Sequence, residues 1–549
     1  MPTIEVKLWD IERIVKSRIR FDELEGYLTK LKCEVEEVRG DTLVYEVSHD
    51  RPDLFSAEGL GRALRSLKGV DSGFKEVVVR DSDVEVIALN KPSYRPYVLG
   101  AIVKGLSLDE ESIIQIIQLQ EKLHLSYCGD RALVAIGLHD YSRVTPPIYY
   151  RAVSEYRFKP LGYDDEMSIK EILSKVDKGV RYRHLVRDGE YPLLVDSKGM
   201  VLSMPPVING DYTRITSSTT QFFIDITGTD LELMSRVLNV VIGALLERGD
   251  EVTVFKVKVL DGGRIIWSPR YDVKVFKVDL DDVKSLLGIN LSVEEVIKCL
   301  SSMGFNTKVL DLKTLEVRVP PYRIDVMHVV DIIEDIAIAY GYDKLVPTLP
   351  PPTHNGSIHP IERFSRIIRD LIVGLGFNEV VNFMLVDSEY LSDLGIGNYV
   401  LLENPKMKAY SAVRNSLIPS ILQAVKINSL TSKNVKVFEV GDVIELGDGG
   451  FRSSRKLAVA IATTETTLTD ALVILKSLMN MLGINYSLSR CSSDLMISGR
   501  CGEVVVRGVT VGVVGEVHPR ILNYLGITLP VALLEINLSS LLQIISETD

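Results

Sequence analysis

Residues 319–341 read VPPYRIDVMHVVDIIEDIAIAYG, and the organisation of the chain can be worked out from this stretch. Pro320–Pro321 interrupts whatever precedes it, since proline lacks an amide donor and drives its predecessor toward extended backbone. Asp325 follows that break and is expected to cap a helix running to about Tyr340, with Gly341 as its stop. The charge is the difficulty. Asp325, Asp331, Glu334 and Asp335 bring four carboxylates to a segment with no Lys or Arg after Arg323. Asp331, Glu334 and Asp335 stand at i, i+3 and i+4 and so share one helix face. Like charges at that spacing repel by roughly a few tenths of a kcal/mol in water, and by more once desolvated among Ile, Val and Ala. Three readings are open: a narrow solvated stripe on a buried helix, oxygen ligands for a hard cation such as Mg2+, or a face docked on a basic partner. Spacing alone does not separate them.

Outward from this helix, VPTLPPPTHNGSIHP (346–360) holds five prolines and an Asn-Gly, which forbid regular structure and mark an extended linker. Weaker breaks near DGGRIIWSPR (261–270) and DSDVEV (81–86) leave four segments, about 1–85, 86–265, 270–346 and 357–549. A chain of 549 residues exceeds a single core, and roughly three to five domains are expected of it. The hydrophobic content of 46% and charged content of 25% are those of ordinary globular protein. A net charge of −11, from 74 acidic and 63 basic residues, lacks the broad basic footprint of a protein that holds nucleic acid alone. Any such contact is therefore local or shared with a partner.

Five scattered cysteines without a CxxC pair argue against a disulfide framework or zinc ribbon and for a reducing cytoplasm. The first residues interleave charge with apolar side chains and show no signal-peptide h-region. The apolar run VLNVVIGALL (237–246) is too short to span a bilayer, so a soluble chain with no membrane attachment is expected. GEVVVRGVTVGVVGEV (502–517) alternates as a hairpin turning at Arg507–Gly508. Its glycines lack the strand–GxGxxG–helix order of a phosphate loop, and GxxxxGK[ST], HExxH and GxSxG occur nowhere.

Segment two holds a candidate polar pocket. YPLLVDSKGMVLSMPPVINGDYTRI (191–215) reads as two strands and a loop with Pro-Pro and Asn-Gly turns. Gln221 to Ile226 then read as a strand with Asp225 embedded in an apolar run, and Thr227 to Asp230 supply turn and cap chemistry before a helix starting near Leu231. A carboxylate and hydroxyls beside a helix N-terminus can bind a polar substrate and position water. They can equally do no more than satisfy the backbone at a strand–helix turn. His139–Asp140 reads as a further polar pair with a structural role, and no Ser-His-Asp order or activated Cys suggests covalent catalysis.

Five stretches, in order, resemble the phenylalanyl-tRNA synthetase β-subunit family in its archaeal/eukaryotic-type architecture. They are SHDRPDLFSAEGLGRAL (48–64), AIGLHDYSRVTPPIYY (135–150), PPVINGDYTRIT with FFIDITGTD (205–230), PPYRIDVMHVVDIIEDIAIAYGYDKL (320–345), and NPKMKAYSAVRNSLIPSIL with VFEVGDV (404–443). The resemblance implies an α+β multidomain chain. Its parts would be an N-terminal α/β domain (1–85), a tRNA editing domain of mixed sheets (86–265), a winged-helix-like module (270–346), a linker (347–356) and a catalytically inactive class II synthetase-like antiparallel-sheet domain (357–549). In this family the quartet matching Asp325, Asp331, Glu334 and Asp335 is assigned to Mg2+ at the contact with the α subunit.

The same resemblance implies that segment two hydrolyses the ester of tRNA-Phe mischarged with tyrosine, a near-isostere that a phenylalanine pocket rejects poorly. Positions matching the editing pocket are Leu194, as a substrate contact, and Ser203, Asp225 and Thr227. Asp225 or Ser203 is expected to contact the tyrosyl moiety while the turn orients water. In segment four, VKVFEVGDVIEL (435–446) is similar to the second class II motif but lacks the Arg expected before Phe438–Glu439, and VALLEINLSSLLQII (531–545) lacks the third motif's Arg. Charge developing on an α-phosphate would be unstabilised there, which implies that activation with ATP belongs to the α subunit. Neither the large N-terminal tRNA-binding insert nor the C-terminal anticodon-binding extension of the bacterial type is recognised. The expectation is thus a cytoplasmic α2β2 ligase joining phenylalanine to tRNA-Phe with ATP and Mg2+, this chain giving scaffold, tRNA contact and editing. The alternatives are an RNA-binding scaffold with an inactive pocket and a free-standing editing hydrolase.

Overall fold

β-Branched, alternating segments set the strands, and their pairing sorts the chain into separate sheets. In a computed structural model, which describes residues 2–447 and 449–546, the chain divides into two units, Met1–Leu349 and Pro350–Asp549. The architecture is α+β, built on several sheets.

In the first unit, Thr3–Lys7, Thr42–Val47 and Cys33–Arg39 pair antiparallel in that order. DRPDLFSAEGLGRAL then turns into the helix Ala57–Leu67. Gly59 in its first turn lies against the Asp53 carbonyl, which a Cβ would overlap. A ten-stranded mixed sheet follows. Its order is Ile208–Asn209, Val201–Met204, Tyr191–Val195, Ile148–Val153, Glu85–Ala88, Thr253–Asp261, Tyr97–Lys104, Gln221–Gly228 and Val134–Asp140, with Arg264–Ser268 paired to Thr253–Asp261. Thr253–Asp261 is inserted between two halves of this sheet, parallel to Glu85–Ala88 and antiparallel to Tyr97–Lys104. QFFIDITG is buried along nearly its whole length because strands flank it on both sides and helices cover one face. Those helices are Glu110–Leu125 and Leu231–Leu245. The second is capped by Asp230, whose carboxylate accepts from the Glu232 and Leu233 amides at 2.8 and 3.1 Å.

The unit closes with a module in which Lys274–Asp279, Thr314–Val319 and Asn306–Val309 form a small antiparallel sheet against Leu280–Leu287, Val293–Ser302 and Val329–Tyr340. Here one expectation is corrected. The carboxylate helix begins at Val329 with His328 as its cap, not Asp325, and Asp331 reaches back to the His328 amide to complete a capping box. Asp325 is engaged elsewhere. Gly341, at φ +107°, ends the helix as expected.

No helix or strand occurs between Lys344 and Pro360, and residues 346–360 are exposed. The second unit is a seven-stranded sheet, Asn378–Glu379, Asn434–Gly447, Gly450–Thr463, Val531–Asn537, Val509–Val517, Met496–Val506 and Ser487–Arg490, antiparallel beyond its first pair. Helices Pro360–Gly374, Leu468–Met481 and Leu538–Ser546 pack into one apolar cluster, and Ile418–Ser429 and Pro519–Leu525 into another. Arg507 and Gly508 both take positive φ, 50° and 81°, at the expected hairpin turn. Among the described residues no helix is long and apolar enough to cross a membrane.

Candidate functional site

Where the ten-stranded sheet meets the loop after Met204, a cavity of about 320 Å³ opens, walled in part by Gly137, Ser203, Pro205, Pro206, Thr213 and Asp225. Asp225 sits on the strand Gln221–Gly228, next to the edge strand Val134–Asp140, and is only 1% exposed. A carboxylate in such a place must be hydrogen-bonded. His139 Nε2 lies 2.7 Å from Asp225 Oδ2, and the Ser203 hydroxyl donates to the same oxygen at 3.3 Å. His139 is itself fully buried, with Nδ1 2.8 Å from Thr213 Oγ1.

The second wall comes from the helix Glu110–Leu125, through Gln120, Glu121 and His124. His124 Nε2 accepts from the Ile136 amide at 2.9 Å, which puts the ring proton on Nδ1, and burial pushes the imidazole pKa down. Burial opposes ionisation of Glu121, but His124, Arg131 and Lys178 outweigh it and hold the carboxyl down at about 2. Arg131, 2.7 Å from Glu121, donates to the Pro206 and Val207 carbonyls at 3.2 Å and so anchors the proline loop to the helix.

Of the residues expected from sequence, Asp225 and Ser203 meet at the cavity wall, and Thr227 and Leu194 do not line it. Thr227 is buried behind the wall, accepting from Arg95 Nε at 3.0 Å through its hydroxyl and from Arg95 Nη2 at 2.9 Å through its carbonyl. Leu194 pairs with Ser203 in register but points into an apolar cluster with Val86 and Phe223. His139, read from sequence as structural, does not line the cavity but is buried behind Asp225 and bonded to it. Its partner Asp140 does hold structure, accepting from the Ser142 amide and the Thr219 hydroxyl at 3.0 Å. Gly137, directly opposite Asp225 across the strands, was not signalled by sequence.

The carboxylate helix is built differently from a metal site. Arg323 Nε and Nη2 reach Asp325 at 3.0 and 2.8 Å, and Nη2 also reaches Asp335 at 2.6 Å. Burial pushes the Asp335 carboxyl up, and Arg323 opposes that rise. Asp331 Oδ2 accepts from the Met327 and His328 amides at 2.8 and 2.7 Å. Glu334 pairs with Lys32 at 2.9 Å, which also holds Asp50 at 2.8 Å. The one buried nitrogen of Arg323 without an acceptor, Nη1, is a donor and repels a metal ion. Among the described residues no group of three or more His, Cys, Asp or Glu is arranged to hold a metal. The four carboxylates therefore do not fit Mg2+ in this chain, because a guanidinium already supplies the positive charge between Asp325 and Asp335 while Asp331 is spent on a helix cap.

In the second unit, Glu439 is buried against Arg414 at 2.7 Å and Asn382 at 2.7 Å. Lys456 is matched to Glu445 at 2.8 Å and Glu535 at 3.6 Å. These cations are consumed by carboxylates of the same domain, which leaves them committed to structure rather than to a phosphate.

Residues 345–538 match the family described as phenylalanyl tRNA synthetase beta chain CLM domain, and residues 276–342 match the tRNA synthetase B5 domain. The chain is 41% identical to the phenylalanine–tRNA ligase beta subunit of Thermofilum pendens, over 98% of this chain and 97% of the relative. Identity to the subunit of Pyrococcus abyssi is 40%, over 99% and 100%, and to that of Methanocaldococcus jannaschii 35%, over 98% and 100%. A solved N-terminal fragment of the phenylalanyl-tRNA synthetase beta subunit from Pyrococcus horikoshii aligns with a TM-score of 0.59 at 39% identity, covering 62% of this chain and all of the fragment.

Proposed function

Because the chain belongs to the phenylalanine–tRNA ligase beta-subunit family, we propose that its cavity hydrolyses tRNA-Phe mischarged with tyrosine. The chain is part of an aminoacyl-tRNA ligase complex that uses ATP, and its partners are an α subunit and tRNA. We propose an α2β2 assembly in the cytoplasm, with phenylalanine activation in the α subunit and scaffold, tRNA contact and editing in this chain. The sheets support a division of labour among an N-terminal domain at 1–85, an editing domain at 86–265, a winged-helix-like module at 270–346, a linker at 347–356 and an inactive class II synthetase-like domain at 357–549.

The observation that carries the editing reading is a carboxylate, Asp225, held at the wall of a cavity of about 320 Å³ otherwise rich in Ile, Leu, Val and Pro. Such a cavity takes an aromatic side chain by its apolar walls, and a para-hydroxyl finds an acceptor at Asp225. Phenylalanine in the same place would leave the second oxygen of that carboxylate desolvated without a donor, which is how a polar site rejects the analogue lacking the hydroxyl. Ser203 donates to Asp225 directly, with no imidazole between them to remove its proton, so the ester is cleaved by water rather than through an acyl-serine. Thr227 acts indirectly, through Arg95 and the turn that carries Asp225. Leu194 sets the register of Ser203. No step passes through a metal ion at Asp325, Asp331, Glu334 or Asp335.

The test is deacylation of Tyr-tRNA-Phe by the holoenzyme, wild type against Asp225→Ala. A loss of about a hundredfold or more with phenylalanine charging retained is expected. A wild type that leaves the ester intact would reduce the chain to a scaffold subunit.

A further inference from the structure

The Asp225 carboxylate is gripped from one side only. Both hydrogen bonds that reach it, from His139 and Ser203, converge on Oδ2. His139 is wholly buried and uses both ring nitrogens, Nε2 on Asp225 and Nδ1 on Thr213. Since a carboxylate only accepts, Nε2 carries the proton and Nδ1 accepts from the Thr213 hydroxyl. Gly137 makes the approach possible. It precedes His139 by two residues, so both point to the same face of the strand, and it stands opposite Asp225 in register. A Cβ at Gly137 would overlap Asp225 Oδ2 and lie 2.8 Å from His139 Nε2. Arg95, a buried cation nearby, is spent on Thr227 and on the Arg131 and Ala132 carbonyls.

We propose that His139 is a positioning residue for substrate discrimination: backed by Thr213, it locks Asp225 through Oδ2 so that Oδ1 is presented to the para-hydroxyl of a tyrosyl ester. This rests on the hydrolytic reading above. An aspartate on two rotatable bonds would otherwise turn both oxygens toward whatever donor is available, water included, and lose its preference for a hydroxyl at one point. The relay from Thr213 to His139 to Asp225 removes that freedom before substrate arrives. His139 does not act as a base on the ester, because it lies beneath Asp225 with no nitrogen left over.

The holoenzyme is tested with His139→Ala, His139→Gln and Thr213→Val on Tyr-tRNA-Phe and Phe-tRNA-Phe, with phenylalanine charging and a thermal melt as controls. Loss of one buried charge-assisted hydrogen bond predicts that His139→Ala lowers tyrosyl-ester kcat/KM by about ten- to a hundredfold. The tyrosyl-over-phenylalanyl preference falls with it, and charging is unchanged. His139→Gln, whose amide N–H can reach where Nε2 stood, restores most of the preference, and Thr213→Val loses part of it. The inference is overturned if folded His139→Ala keeps the preference within twofold, if both esters slow equally, or if Gln does no better than Ala. Should His139→Ala fail to fold, the Gln and Thr213→Val arms decide in the same terms. A wild type inert toward Tyr-tRNA-Phe would instead sink the hydrolytic reading. In that case binding of a non-hydrolysable 3′-aminoacylamino-adenosine, tyrosyl against phenylalanyl, still reads the preference and its dependence on His139.

Discussion

Gly137 owes its place to two neighbours that need the room of a side chain. Adding one methyl there forces Asp225 off His139, so Gly137→Ala is expected to cost about 1–3 kcal/mol by overpacking. It should also lower tyrosyl-ester hydrolysis by at least about tenfold, measured by melting and deacylation on one preparation. Asp225 was visible in the sequence as a carboxylate inside an apolar run, and Ser203 through the family resemblance. Gly137 was not, and His139 was legible only as half of a structural polar pair, because their part at the pocket lies in the pairing of Val134–Asp140 with Gln221–Gly228, and register between distant strands has no local signature. Glu121 offers a test by pH. Its carboxyl titrates at about 2 when folded, below the ordinary value of about 4.3. The stabilisation it gives is therefore complete above the unfolded value and lost as pH falls toward the folded one. The advantage of wild type over Glu121→Gln in urea unfolding should be present at neutral pH and shrink steadily between about pH 5 and 2.

At the scale of elements, the helix Val329–Tyr340 shows what local pattern can and cannot supply. Its stop at Gly341 was legible because a glycine ends helices by its own backbone freedom. Its start was misplaced because Asp325, a good cap by type, is held by Arg323 two residues earlier and leaves His328 to begin the helix. Glu334 finds its cation at Lys32, some three hundred residues away in sequence, which no window reveals. The hairpin at Arg507–Gly508 was legible for the opposite reason, since both of its strands and its turn are contiguous. If the acids of this helix serve a cap and internal ion pairs, EDTA should leave the melting temperature of the purified chain unchanged. Asp331→Ala should cost about 1 kcal/mol with or without Mg2+. A melting temperature that drops in EDTA and recovers with Mg2+ would contradict the assignment.

Across the whole molecule, buried charge holds the first unit together. Arg248, after the helix Leu231–Leu245, reaches Asp10 at 2.8 and 2.9 Å and pairs with Glu58. Arg62 stacks on the Tyr322 ring at 3.6 Å while donating to the Gly243 carbonyl at 2.6 Å. Three regions that the sequence divides at about 85 and 265 are thereby tied by groups that cannot part cheaply, because separating a buried pair strands its charges. Between 346 and 360 there is no such tie, and the backbone is exposed and without regular structure. Limited thermolysin digestion is accordingly expected to cut first near Leu349 or Ile358, yielding two protease-resistant fragments. Early cleavage inside 86–265 would contradict that. The placement of Thr253–Asp261 bears on how the pocket comes into being as the polypeptide is made. Ser203 lies in one half of the sheet and His139 with Asp225 in the other, and the strand that joins the halves is among the last of the sheet to be translated. A nascent chain holding every residue of the pocket would still lack the pocket, and hydrolytic competence should appear only once residue 261 has cleared the ribosomal tunnel.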